Sequence, residues 1–276
     1  MSGLSISKAW EDSKDILARD GQLFMGVALS LIALPTLITG LISPRGMADA
    51  DGPLWVSLVG LVASLVALAG QLALIRLALG PAVTVAEAIG HGARRMLIYL
   101  AAAILIVVAL FLIAIPFVFV LAAIGVKVTQ TSASTIESSP GLGVAALIYF
   151  AVFCFIGVKM VMSAPVATAE PVGPIATLRR SWDLTKGHWW KLFGFLALFF
   201  IGAMAVLYAV GLAIGAVVSL SLGPVQPMST SALVMALIHS LINAALTTLL
   251  AVMLARIYVQ LAGRADAGVS VPKTGI

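Results

Sequence analysis

Charge is what this chain has least of. Only 10% of its 276 residues are Asp, Glu, Lys or Arg, where an ordinary soluble domain carries about 25%. That shortage excludes a globular enzyme of the usual kind. Acid is scarcer than base, with 11 carboxylates against 16 Lys and Arg and a net charge of +5. No Asp or Glu stands in the core of any long apolar run. Proton- or sodium-coupled transport and intramembrane hydrolysis usually need such an acid, so its absence weighs against both. The one cysteine, Cys154, rules out an internal disulfide. Lying inside an apolar run, it reads as a small hydrophobe. The three histidines, His91, His188 and His239, are far apart, and no His/Cys/acid grouping has the spacing of a metal site. No nucleophile elbow, phosphate loop or dinucleotide fingerprint occurs. Neither a metal nor a cofactor is expected, and no catalytic residue can be named.

What the chain has is apolar length. It is 62% hydrophobic, and about 20 apolar residues suffice for one membrane-crossing helix. Six spans are predicted, at Leu23–Ser43, Leu54–Leu79, Leu97–Gly125, Leu142–Thr168, Leu192–Leu220 and Ser231–Ala262. Little is left over, so residues 1–276 read as one integral membrane domain. The fold class expected is an all-α polytopic membrane protein. Glu11, Asp12, Asp15 and Asp20 precede the first run, the wrong charge for the start of a cleavable signal peptide.

The connections alternate in basic content. The first sets Arg45 against Asp49 and Asp51, the third sets Lys127 against Glu137, and Ser221–Thr230 carries no charge. The second holds Arg94 and Arg95, the fourth Arg179, Arg180, Lys186 and Lys191, and the tail Arg264 and Lys273. By the positive-inside rule both termini are cytoplasmic. Trp10, Trp55, Trp182, Trp189 and Trp190 suit interfacial belts. The cations lie between spans, which points to anionic phospholipid headgroups and away from nucleic acid.

The second span of each pair ends alike. Arg76, Lys159 and Arg256 stand near those ends, and Glu87 and Glu170 follow the first two cations at the same distance. The stretches Pro81-Ala-Val-Thr-Val-Ala-Glu87 and Pro165-Val-Ala-Thr-Ala-Glu170 differ in length by one residue. At 1.5 Å per residue, the three cations fall roughly 25–36 Å down their helices, near the inner hydrocarbon boundary. There they either snorkel to headgroups as anchors or together form a phosphate site.

A short amphipathic segment precedes each pair. Ile6, Trp10, Ser13 and Leu17 share a face in the first. Val85, Ile89, Gly92 and Met96 do so in the second, where Thr84 and Glu87 make a capping box. In the third, Pro174 suits the first helical position. Ile175, Leu178, Trp182 and Trp189 form its stripe, and Arg179 and Asp183 an i,i+4 pair. The unit expected is a short cytoplasmic amphipathic helix plus two spans, a threefold internal repeat over 4–80, 81–168 and 169–262, with 263–276 a flexible cytoplasmic tail.

His239, Asn243 and Thr247 lie at i, i+4 and i+8 in the sixth span. As interhelical hydrogen bonders each contact is worth about 0.6–2 kcal/mol. The sharper alternative is a solute path shared with Gln71. Gly90 and Gly92 read as close helix packing. Arg179, Arg180, Lys186 and His188 could hold phosphates, since guanidinium favours two-point contacts to them. Topology and lipid adhesion account for the same residues.

The stretch from Glu170 through Leu178-Arg-Arg-Ser-Trp-Asp-Leu-Thr-Lys-Gly-His-Trp-Trp190, followed by a long apolar run, resembles the membrane domain of glycerophosphoryl diester phosphodiesterases. It is also similar to stand-alone bacterial six-helix proteins of that family. Residues 165–195 carry the likeness, with a second similar stretch around Thr84. The resemblance implies a multi-pass protein of the bacterial inner (plasma) membrane. It brings no catalysis, because in the two-part enzymes the phosphodiesterase site belongs to a separate soluble barrel. The expectation is a non-enzymatic membrane protein that contacts anionic lipid or a membrane partner. The alternative is a small transporter or channel with its path at His239, Asn243 and Thr247.

Overall fold

Inside lipid every backbone N–H and C=O must find its partner within the chain. Among the described residues this one meets that demand with helix and no strand. A computed structural model describes residues 4–43, 53–80, 84–123 and 140–269. The loop charges Arg45, Asp49, Asp51, Lys127 and Glu137, the repeated Pro81 and the tail Lys273 lie outside the described residues. Helices α1 (Ile6–Ala28) and α2 (Leu34–Ile42) are joined by a π-helical turn, Leu29–Ala33. Then come α3 (Leu54–Leu79), α4 (Val85–Ala123), α5 (Pro140–Met160), α6 (Ser163–Ala169), α7 (Pro174–Leu184), α8 (Trp189–Leu222) and α9 (Thr230–Val269). Six helical stretches are long and apolar enough to cross a membrane: Ile6–Ile42, Leu54–Leu79, Val85–Phe117, Gly143–Ala169, Trp189–Leu222 and Thr230–Gly263. The protein is an all-α multi-pass membrane protein.

Several boundaries differ from expectation, each for a local reason. Only the third amphipathic segment is a separate helix. Between α7 and α8 Gly187 takes φ +77°, a left-handed conformation that glycine adopts without steric cost. The first segment runs on into its span, bent at Asp20 (φ −114°, ψ 15°). The second is continuous with α4, started by the expected capping box. Glu87 Oε2 accepts from the Thr84 N–H at 2.9 Å, and Thr84 Oγ1 from the Glu87 N–H at 3.3 Å. The fourth span divides at Val161–Met162, because Pro165 lacks an N–H and its ring crowds the carbonyl of Val161. In the first span, Pro35 imposes the same conflict on Leu31. The π turn accommodates it, with the Leu34 N–H bonded to Leu29 O. The last helix continues past 263 to Val269, into the expected tail.

Helix α9 is the hub, touching α1, α2, α3, α6, α7 and α8. Its inward seam is Ala232, Ala236, Ser240, Ala244, Thr248, Ala251 and Ala255, all buried. Beside it Leu233, Leu237 and Leu241 are about 44–45% exposed, facing out of the bundle. Lipid tails are as apolar as leucine, so large residues gain little by turning inward, whereas small ones let backbones approach. On α1 the buried line is Ala9, Ser13 and Ile16, and Trp10 is 44% exposed. The packed face is thus one position round from the apolar stripe expected. On α7 the buried residues are Thr177, Ser181 and Leu184, while Ile175 is 72% exposed. In the second segment the shared apolar face turns to the protein, with Val85, Ile89 and Met96 against the core.

The chain start is held at the face where α4 and α8 begin and α9 ends. Gln260 Oε1 accepts from the Ser5 N–H at 3.3 Å, and Lys191 Nζ donates to Leu4 O at 3.3 Å. We call this the basic face. It carries Arg94, Arg95, Arg179, Arg180, Lys186 and Lys191.

Close packing is the expected role of Gly90, Gly92 and the span glycines; Gly40, Gly70 and Gly92 serve it, and Gly90 does not. A Cβ on Gly92 would stand 2.7 Å from Ala69 O and 3.0 Å from Ala73 N on α3, whereas one on Gly90 meets nothing within 4 Å. Gly92→Ala should therefore lose roughly 1–3 kcal/mol by overpacking. Gly90→Ala should gain roughly 0.5–1 kcal/mol from helix propensity. Unfolding of both variants in mixed micelles checks the pair, and a Gly92→Ala protein as stable as the parent would refute the close crossing.

Candidate functional site

The break at Pro165 does more than end a span. It leaves the carbonyl of Lys159, at the last turn of α5, open to a partner from elsewhere, and α7 supplies it. Ser181 Oγ donates to Lys159 O at 2.8 Å, with Thr185 Oγ1 at 3.5 Å. Pinning α7 there sets Trp182 over the Lys159 side chain. The ammonium lies 5.3 Å from the Trp182 ring centroid and 5.9 Å from that of Phe155. Phe155 meets Trp182 edge-on at 5.9 Å, and Trp189 stacks on Phe193 at 5.0 Å with rings 6° apart. The Trp189 indole N–H donates to Phe155 O at 3.4 Å. An aromatic box has formed around one cation.

Lys159 as a whole is only 7% exposed, but its ammonium is not one of the polar atoms cut off from the surface. Among the described residues that ammonium has no carboxylate and no hydrogen-bond acceptor, and the two cation–π contacts contribute about 0.5–2 kcal/mol each. The charge stays within reach of a group outside the chain. Arg179 is exposed on the same face of α7 as Trp182 and Asp183. Lys186, just past the end of α7, reaches back to Asp183 at 2.6 Å. This i,i+3 pair replaces the expected bond of Asp183 to Arg179, which acts on it only through space. The Lys186 hydrogen bond holds the Asp183 carboxyl below its usual range, with its charge and those of Arg179 and Arg180 adding to the effect. The small stabilisation this brings is present above about pH 4. It is lost as pH falls through the depressed folded value.

The other candidate cations lie elsewhere on the basic face. Arg180 Nε donates to Glu170 Oε1 at 3.0 Å, and the Tyr258 hydroxyl donates to the same oxygen at 2.8 Å. Glu170 thereby ties the α6–α7 turn to α9. His91 Nε2 lies 2.8 Å from Thr168 O and ties α4 to α6. Arg256 donates to Ala78 O at the end of α3. Its Nε and Gln260 Nε2 are buried without a partner. Arg76 is half-buried in the last turn of α3. Arg256 thus bonds to α3 while Lys159 is boxed against α7, so no contact joins the three repeated cations around one ligand.

Of the five tryptophans expected at the interfaces, Trp10, Trp55 and Trp190 are 44%, 54% and 77% exposed. Trp182 and Trp189 are half-buried and spend their rings on Phe155, Phe193 and Lys159. At the opposite face His239 lines a cavity whose walls include none of Asn243, Thr247 or Gln71. Among the described residues no group of His, Cys, Asp and Glu could hold a metal ion. Sequence reasoning passed over Phe155, Ser181, Thr185 and Tyr258. The Ser181 and Thr185 hydroxyls beside Trp182 were the available signal.

Fold and site together define a class: a helical multi-pass membrane protein with a basic, aromatic-lined face. Residues 4–261 match the family model described as Domain of unknown function (DUF7847), and the chain belongs to that family. No curated protein and no solved structure matches it.

Replacing Glu170 by Ala removes the shared acceptor of Arg180 and the buried Tyr258 hydroxyl. The expected cost is about 1.5–3 kcal/mol, against under about 0.5 kcal/mol for Arg179→Ala at an exposed site. Equal unfolding midpoints for the two variants in micelles would count against the Glu170 tie.

Proposed function

We propose that the chain is a non-enzymatic protein of the bacterial inner membrane that holds anionic phospholipid headgroups of the cytoplasmic leaflet against its basic face. The observation that carries this reading is Lys159, a largely covered side chain whose ammonium reaches the surface between two rings and has no anionic partner among the described residues. Arg179 is exposed on the face of α7 that carries Trp182, and the exposed Trp190 suits the interfacial level. The positive-inside rule makes this face, and with it both termini, cytoplasmic. The cytoplasmic leaflet carries the anionic lipids that basic clusters attract. The resemblance of residues 165–195 to the phosphodiesterase membrane domain enters as a likeness of architecture alone, and it supports no catalytic role.

A transporter with a path at His239, Asn243 and Thr247 stands second. Only His239 reaches the cavity on its side, and no span holds a core carboxylate.

Native mass spectrometry of protein extracted from bilayers of mixed phosphatidylglycerol and phosphatidylcholine tests the proposal. Retained lipid should be mainly phosphatidylglycerol. Lys159→Met and Arg179→Ala should each lower retention about threefold or more, the equivalent of one weak charged contact. Equal retention of the two lipids by the parent protein would overturn the reading, as would variants indistinguishable from it.

A further inference from the structure

The face opposite the basic one carries a cavity of about 540 Å³ between the ends of α2, α3 and α9. That size falls within the roughly 300–1,000 Å³ typical of small-molecule pockets. It exists because the residues meeting there are small. Gly40 lies so close to α9 that a Cβ on it would stand 3.0 Å from the Ala236 Cβ. Gly60 on α3 and Ala232 on α9 likewise leave their parts of the wall unfilled.

The polar groups in the wall are few and of one kind. Among the described residues no Lys, Arg, Asp or Glu lines the cavity; Thr36, Thr39, Ser43 and His239 do. The Thr36 hydroxyl donates to Ile32 O at 2.7 Å. The Thr39 hydroxyl donates to Pro35 O at 3.1 Å or Thr36 O at 3.0 Å. These protons serve the backbone around the π turn and Pro35, which leaves the oxygen lone pairs to accept. His239 is exposed and has no hydrogen bond among the described residues, so its ring nitrogens are open to a ligand.

We infer that this cavity binds an uncharged amphiphile through a hydroxyl group next to its apolar chain. An alcohol hydroxyl accepts from the imidazole N–H and donates to a threonine oxygen, so both kinds of wall group are used. A phosphate or carboxylate would meet no cation among the described wall residues, and an ammonium no carboxylate, so each would pay desolvation without a counter-charge from them. A bare hydrocarbon would use none of the polar wall groups. The shared ligand chemistry is a hydroxyl-headed chain, whether a free long-chain alcohol or the glycerol end of a neutral lipid. The inference does not depend on the reading of the basic face.

Photolabelling of the protein in nanodiscs with 1-decanol carrying a chain diazirine tests it. Labelled peptides should fall within residues 36–43 and 232–239. Excess 1-decanol or monodecanoylglycerol should compete, the stronger of the two naming the source, whereas decane, decanoate and decylammonium should not. His239→Phe should weaken labelling about fivefold, the loss of one hydrogen bond, and His239→Gln should restore part of it. Val59→Trp should block the cavity outright, and gel filtration shows that each variant is folded. Competition by decane as strong as by decanol would overturn the inference, leaving a void that takes any hydrocarbon. So would labelling spread over α4 and α8 without competition.

Discussion

A helix in lipid gains nothing by hiding leucine, because the tails around it are equally apolar. What draws helices together is close backbone approach, and that requires small side chains at the contact. In this molecule the requirement falls on α9, whose line from Ala232 to Ala255 is alanine, serine and threonine. Six other helices reach it along that seam and its flanks. Where α3 and α4 cross, Gly92 on Ala69 and Ala73 repeats the solution. The large residues of α4, α5 and α8, such as Phe111, Phe150 and Leu212, face outward by default.

The same constraint explains why polar chemistry collects at the two ends of the bundle. Backbone groups freed by proline must be satisfied inside the chain. Pro165 breaks the fourth span, and the hydroxyls of α7 dock on the carbonyl of Lys159. That contact fixes Trp182 over the ammonium. Pro35 acts on the first span, and beyond the widened turn Thr36 and Thr39 of α2 line one wall of the opposite cavity. Two prolines of similar local effect thus prepare two sites of different character: one cationic and aromatic, the other uncharged.

The class of the fold was legible because hydrophobic length is written directly in the chain, and six runs of about 20 apolar residues have few alternative readings. The capping box at Thr84 and Glu87 was legible too, since its chemistry is local. The packed faces were not. Amphipathic periodicity separates apolar from polar residues, but here the division that matters is between large and small. The stripes holding Trp10 and Ile175 therefore say nothing of the faces that pack, which are set by Ala9, Thr177 and Ser181. Of the site, Lys159 and Trp182 could be singled out by type, but their contact spans 23 positions and a chain reversal. His239 was visible as a polar residue in a span. The cavity beside it depends on Gly40 and Gly60, whose meaning appears only when the helices are assembled.

The docking of Leu4 and Ser5 has a consequence for how the molecule is made. Their partners Lys191 and Gln260 belong to the fifth and sixth spans. Ribosomes make the chain from its N-terminus, so Leu4 and Ser5 leave the ribosome well before either partner. Until α8 and α9 have followed, neither hydrogen bond can form and the basic face lacks its hub. The six spans can enter the bilayer in order, yet this face closes only after the sixth is in place.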